Sequence, residues 1–175
     1  MKKITLFLIT VVFTYFVGNA QYVFSTIDGP INVAQASPVT YSLNDIGNSA
    51  GVTTPTSGSY ISFRVSVDWS EGSGVPWSSE ADLTFTTSLG SVNINPPTSG
   101  DANSTSDATI IFEGDLPGLY DPSTDGYIDL VFNQSYSGSN ADWSNIVVTL
   151  YETPSCPNPT NPTASNIMAN SADLQ

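Results

Sequence analysis

The 175-residue sequence contains no histidine and only three basic residues, against 16 aspartates and glutamates, giving a formal charge of −13. Two of the three cations are Lys2 and Lys3, so Arg64 is the only cation in the rest of the chain. Without histidine there is no Ser-His-Asp or Cys-His machinery and no imidazole metal site. Without lysine beyond residue 3 there is no Schiff base and no phosphate-loop lysine. So acidic a surface repels phosphate backbones, which argues against nucleic acid as a partner.

Cysteine is nearly absent as well. Cys156 is the only one, so no disulfide can form within the chain. The part of the chain before it must therefore be held by core burial. That is feasible, because a domain of about 150 residues buries roughly two-thirds of its unfolded surface. Charged residues make up 11% of the chain, well below the usual share of about a quarter. Serine and threonine keep the surface wet in their place. An aromatic share of 11%, together with strong apolar alternation, distinguishes the sequence from a disordered one.

The longest apolar run is short. Lys2-Lys3 forms a positive n-region, Ile4 to Val17 an apolar stretch, and Gly18-Asn19-Ala20 places small residues before Gln21. This is the layout of a secretory signal peptide, residues 1–20, and a run of about fourteen residues falls short of a membrane-spanning helix. The mature chain is expected to be secreted or held at the cell surface, without membrane insertion.

From residue 21 onward the dominant signal has a period of two. In residues 59–70, Ile61, Phe63, Val65, Val67 and Trp69 alternate with Ser62, Arg64, Ser66 and Asp68, which predicts a half-buried strand with Trp69 on the core face. Ala81 to Thr86 repeats the pattern, and Leu89-Gly90-Ser91 reads as the hairpin turn before a partner strand at Val92 and Ile94. Further strands are predicted at Thr109–Phe112, Tyr127–Phe132 and Ile146–Tyr151, with shorter ones at Tyr22–Phe24, Ile31–Val33 and Val39–Leu43. Turn-rich clusters at residues 47–58, 71–76, 95–106 and 114–126 separate them. No window holds a helical stripe. The expectation is an all-β fold: an antiparallel β-sandwich, jelly-roll-like, over residues 21–152.

The composition changes after Glu152. Residues 153–162 hold four prolines in ten positions and read as a semi-rigid linker. The segment that follows, with Pro162-Thr163-Ala164-Ser165-Asn166-Ile167 and Ser171-Ala172-Asp173-Leu174, resembles the opening strands of fibronectin type III domains. The resemblance implies that residues 163–175 are the truncated start of a second β module. With the Gln21 start, the chain is similar to surface proteins of Bacteroidetes-type bacteria, which implies a longer multidomain protein with downstream domains. Within residues 21–152, Trp69, Ala81-Asp82-Leu83-Thr84-Phe85, Gly90-Ser91-Val92 and Asn145-Ile146-Val147-Val148 faintly resemble galactose-binding-like jelly rolls, including the P-domain type. This resemblance implies architecture only.

Three groups of residues are candidates for function. Asp121, Ser123, Asp125, Tyr127 and Asp129, with Gly126 after the third donor, match the first half of a calcium loop. Alternate side chains of a tight loop point inward there and the glycine permits the bend. Phe132 stands where an EF-hand has its bidentate glutamate, and the same residues make a good turn. The only cofactor implied is therefore structural calcium. Trp77, Tyr120, Tyr136 and Trp143 are candidate stacking platforms for a sugar, Trp77 foremost because it lies beside a Gly/Ser loop and off the alternating pattern. Glu71, Glu80 and Glu113 are the carboxylates available for glycosidase chemistry, with no signature around them. Arg64 alternates outward.

These readings together describe a non-catalytic exported β-sandwich module working in adhesion, ligand presentation or spacing. Its partner would be an extracellular glycan or protein. The alternatives are a carbohydrate-binding module with stacking aromatics and structural calcium, and a small glycosidase-like enzyme.

Overall fold

A computed structural model describes residues 21–27, 29–35, 37–43 and 55–153, with side chains from residue 29 onward. The expected signal peptide, the linker beyond residue 153 and the fibronectin-like stub lie outside the described residues.

Nine strands form in chain order: β1 (Gln21–Ile27), β2 (Ile31–Ala34), β3 (Val39–Ser42), β4 (Tyr60–Ser73), β5 (Ala81–Thr87), β6 (Gly90–Ile94), β7 (Ala108–Tyr120), β8 (Ile128–Gln134) and β9 (Asn140–Glu152). A 3-10 turn spans Ser78–Glu80 and a short helix, α1, spans Pro122–Asp125. All strand pairs are antiparallel. One sheet runs β1-β9-β4-β7, with β2 also on β9; the other runs β3-β8-β5-β6. β1 and β2 pair with successive stretches of β9, Gln21 opposite Tyr151 and Ala34 opposite Asn140, so they are one edge strand broken in the middle. Counted that way, eight strands form two four-stranded layers in jelly-roll order.

The core follows from the alternation. Phe63, Val65, Val67 and Trp69 of β4 face Ala81, Leu83 and Phe85 of β5, all at 1% exposure or less. Phe63 and Phe85 stack across the two sheets at 4.1 Å between centroids. Trp143 packs parallel to Phe112 at 5.8 Å and tilted against Phe132 at 5.1 Å. Each such ring removed from water contributes about 2–3 kcal/mol, more where rings stack.

The register slips in several places, and two of the slips decide which large side chains face inward. A bulge at Tyr60–Ser62 turns Tyr60 inward, at 2% exposure, and Ile61 outward, at 37%, against the expectation that Ile61 joins the core face. A second irregularity lies at Asn145, which has φ +48. Ser66 is opposite Val147 but Asp68 is opposite Ser144, so Asn145 is the extra residue of a bulge. Trp143 and Ile146 both point inward across it, three positions apart. The break between β1 and β2 lies at the same level: a methyl group on Gly29 would stand 2.7 Å from the Trp143 carbonyl oxygen and 2.8 Å from Ser144 Cα.

Strand direction sorts the loops. The described chain begins at Gln21 opposite Tyr151, and β9 ends at Glu152 opposite Tyr60. Entry and exit therefore share one end of the sandwich, here called the tether end, with the β5–β6 and β7–β8 connections. The far end carries the connections 35–38, 74–80, 95–107 and 135–139.

Candidate functional site

At the far end, three loops are braced into one surface by hydrogen bonds to short side chains. Ser78 is fully buried; its hydroxyl donates to the Ala102 carbonyl at 3.0 Å and accepts from the Ala102 N–H at 2.8 Å, joining connection 74–80 to connection 95–107. Ser79 adds a bond from its hydroxyl to Asn103 Oδ1 at 2.7 Å. Ser135 donates from both its backbone N–H and its hydroxyl to the Glu80 carbonyl, which ties in connection 135–139.

Trp77 sits at the centre of this bracing. The Glu80 carboxylate accepts from the Trp77 N–H at 2.8 Å. The Trp77 carbonyl accepts from the Glu80 N–H at 3.0 Å and from the Gln134 side-chain amide at 2.9 Å. Gln134 is fully buried and its Oε1 accepts the indole N–H of Trp69 at 3.4 Å. The backbone of Trp77 is thus fixed from both sides, yet its side chain is 43% exposed. Tyr136, one residue beyond the Ser135 tie, is 50% exposed and Val75 61%. Val75 also has φ +58, a conformation that a β-branched residue adopts only under strain.

The other candidates fall elsewhere. Tyr120 and Trp143 are 1% and 0% exposed, so neither presents a face to a ligand. Tyr120 is the last residue of β7, opposite Tyr60, because the strand runs on through Gly114 and Pro117 as an edge strand, where proline is tolerated. Trp143 is carried inward by the Asn145 bulge.

In the expected calcium loop, Asp121 caps α1: its carboxylate accepts from the Ser123 hydroxyl at 2.7 Å and the Ser123 N–H at 2.9 Å. The Ser123 hydroxyl, and then the Ser123 N–H, hold the Asp121 carboxyl below its ordinary range. Asp125 in turn accepts from the Asp121 N–H at 2.8 Å. Tyr127 is exposed, its backbone N–H bonded to the Asp125 carbonyl, and Asp129 belongs to β8, opposite Ser42 and Thr86. Among the described residues no three His, Cys, Asp or Glu side chains gather as a group that could hold a metal.

Of the candidate glycosidase carboxylates, Glu71 and Glu113 stand far apart. Glu113 accepts from Arg64 at 3.1 Å. Glu71 lies some seven residues further along β4 from Arg64, roughly 23 Å at the rise of a strand, against the 5–10 Å that a carboxylate pair needs. Glu80 holds the Trp77 N–H.

A second polar cluster, unforeseen from sequence, lies on the outer face of the β1-β9-β4-β7 sheet. Asp68 accepts from Asn145 Nδ2 at 2.8 Å and from the Thr109 hydroxyl at 2.8 Å, one partner from each neighbouring strand. Asn145, and then Thr109, hold its carboxyl below the usual range. Asp107, Ser70 and Ser144 complete a shallow open depression there.

No family model matches the chain, and no curated protein matches it. Among solved structures, the crystal structure of FlhE is matched over 76% of this chain and 98% of that one, at 12% identity and a TM-score of 0.33, a likeness too slight to assign a relationship.

Proposed function

We propose that residues 21–152 are a non-catalytic binding module of a larger exported protein, which contacts its target through the far end of the sandwich. One observation carries this reading. The chain enters and leaves at the tether end, whereas Val75, Trp77 and Tyr136 stand exposed on braced loops at the opposite end. A domain tethered through the chain that follows Glu152 presents its far end to the surroundings. Large side chains exposed on a fixed backbone lose little freedom on contact, which is what a binding surface requires. Export rests on the layout of residues 1–20, and membership of a longer protein on the proline-rich segment and the fibronectin-like stub.

The test is adhesion of beads coated with the full chain through its C-terminus to a panel of immobilised polysaccharides and matrix proteins. The expected result is at least one target bound by the wild type and lost in the Trp77→Ser/Tyr136→Ser double variant. Equal binding by both chains, or none by either, would overturn the reading.

A further inference from the structure

Large apolar side chains are exposed at both ends, with Leu89, Leu119 and Tyr127 at the tether end, but the one exposed indole stands on the braced loops of the far end, and this points to a class of ligand. The large exposed side chains of the far end are an indole, a phenol ring and an isopropyl group, from Trp77, Tyr136 and Val75. The same loops carry hydroxyls and amides: Ser79 bonded to Asn103, Ser135 to the Glu80 carbonyl and Asn140 to the Ser73 N–H, each with hydrogen-bonding capacity beyond that one bond. The one carboxylate built into the loop bracing, that of Glu80, is engaged with the Trp77 backbone. The only cation among the described residues, Arg64, lies within β4 and is paired with Glu113.

From this combination we infer that the far end binds uncharged carbohydrate, with one sugar ring stacked on Trp77 and Tyr136 flanking it. The inference rests on the binding-module reading and names its ligand. A pyranose ring offers an apolar C–H face to an indole and a rim of hydroxyls that exchange hydrogen bonds with hydroxyls and amides. An anionic glycan finds no cation here and meets a chain of strongly negative charge. Asp101 and Asp107 also lie in connection 95–107, so a cationic protein segment is the competing ligand, and the matrix-protein arm below tests it. Because the Trp77 backbone is pinned by Glu80 and Gln134, the platform is formed before the sugar arrives and the ordering cost of binding is small.

Tryptophan fluorescence gives a direct readout, since Trp69 and Trp143 are buried and Trp77 alone of the three is exposed. The experiment titrates the full chain with soluble neutral oligosaccharides (gluco-, manno-, galacto- and N-acetylglucosamine series), with an anionic uronic-acid series alongside. Acrylamide quenching is followed at each step, and the immobilised matrix proteins serve as a parallel arm. The expected result is saturable protection from quenching by at least one neutral series and none by the anionic one. Affinity should fall by roughly tenfold or more in Trp77→Ala, as for a central aromatic anchor, survive in part in Trp77→Phe, and be unchanged in Leu119→Ala at the tether end. Circular dichroism of each variant establishes that it is folded. Binding to a matrix protein alone, lost in Trp77→Ala, would overturn the carbohydrate assignment and leave the module reading standing. Binding to neither, or binding indifferent to Trp77, would overturn both.

Discussion

Gln134, a fully buried side chain of β8, donates its amide to the backbone carbonyl of Trp77 at 2.9 Å, so that the core of the sandwich holds an exposed aromatic in place. The same amide group accepts from the indole of Trp69 through its oxygen. Core order and surface order at the far end are therefore coupled through one residue.

Gln134→Leu keeps the volume and removes both bonds. It strands the buried Trp69 N–H and releases the Trp77 carbonyl, for an expected loss of about 2 kcal/mol in denaturant unfolding. Trp77 should also loosen: the quenchable part of the fluorescence should gain a fast component in its anisotropy decay. A variant as stable as the wild type with unchanged anisotropy would remove Gln134 from this role.

Gly29 and Gly126 both have positive φ, +71 and +79, but only Gly29 is crowded, facing the backbone of Trp143 and Ser144; nothing stands within 4 Å of a methyl on Gly126. Gly126→Ala should cost about 1–2 kcal/mol from backbone conformation. Gly29→Ala adds a backbone collision and should cost about 1–3 kcal/mol more. Equal losses in thermal unfolding would contradict the placement of β1 and β2 against the β9 bulge.

Asp68 is stabilised in its ionised form by Asn145 and Thr109. A folded-state value below the usual one adds stability above the ordinary aspartate range, about pH 4, and that stability is lost as pH falls through the folded value. Asp68→Asn should therefore be less stable than the wild type at pH 7, by less than about 1 kcal/mol because the site is open to solvent. The gap should close on acidification below about pH 4. A gap independent of pH would contradict it.

Calcium is expected to leave the melting temperature where EDTA leaves it, because Asp121 and Asp125 are engaged with their own turn. A calcium-dependent rise abolished by Asp125→Ala would show instead that the turn opens to bind the ion.

How much of this is legible in the sequence depends on where the chain keeps strict alternation. β5, the hairpin to β6 and the inward set from Phe63 to Trp69 follow directly from a period of two, and the jelly-roll-like sandwich follows from them. Trp77 is legible as an outlier to that pattern, and it is exposed. Tyr120 and Trp143 are misread for physical reasons. Gly114, Pro117 and Gly118 look like turn residues but lie in an edge strand, and the Asn145 bulge shifts the phase between Trp143 and Ile146. The alternation of Ala141 and Trp143 with Asp142 and Ser144 calls for an apolar residue at position 145, and the asparagine found there is the available signal for that bulge. The cluster of Asp68, Thr109 and Asn145 joins three strands distant in sequence, and no local pattern encodes it. Gln134 likewise reads as the end of a strand, since its partners Trp69 and Trp77 come from elsewhere in the chain.

The most direct test of the account is fluorine NMR of the full chain labelled with 5-fluorotryptophan, with Trp77→Phe for assignment. Three resonances are expected, and only the one missing in Trp77→Phe should shift between light and heavy water, while keeping the linewidth of the folded domain. A Trp77 resonance without a solvent shift would mean a buried ring. A sharp one, typical of a loose side chain, would mean that the braces do not hold it; either result contradicts a preformed contact surface opposite the tether.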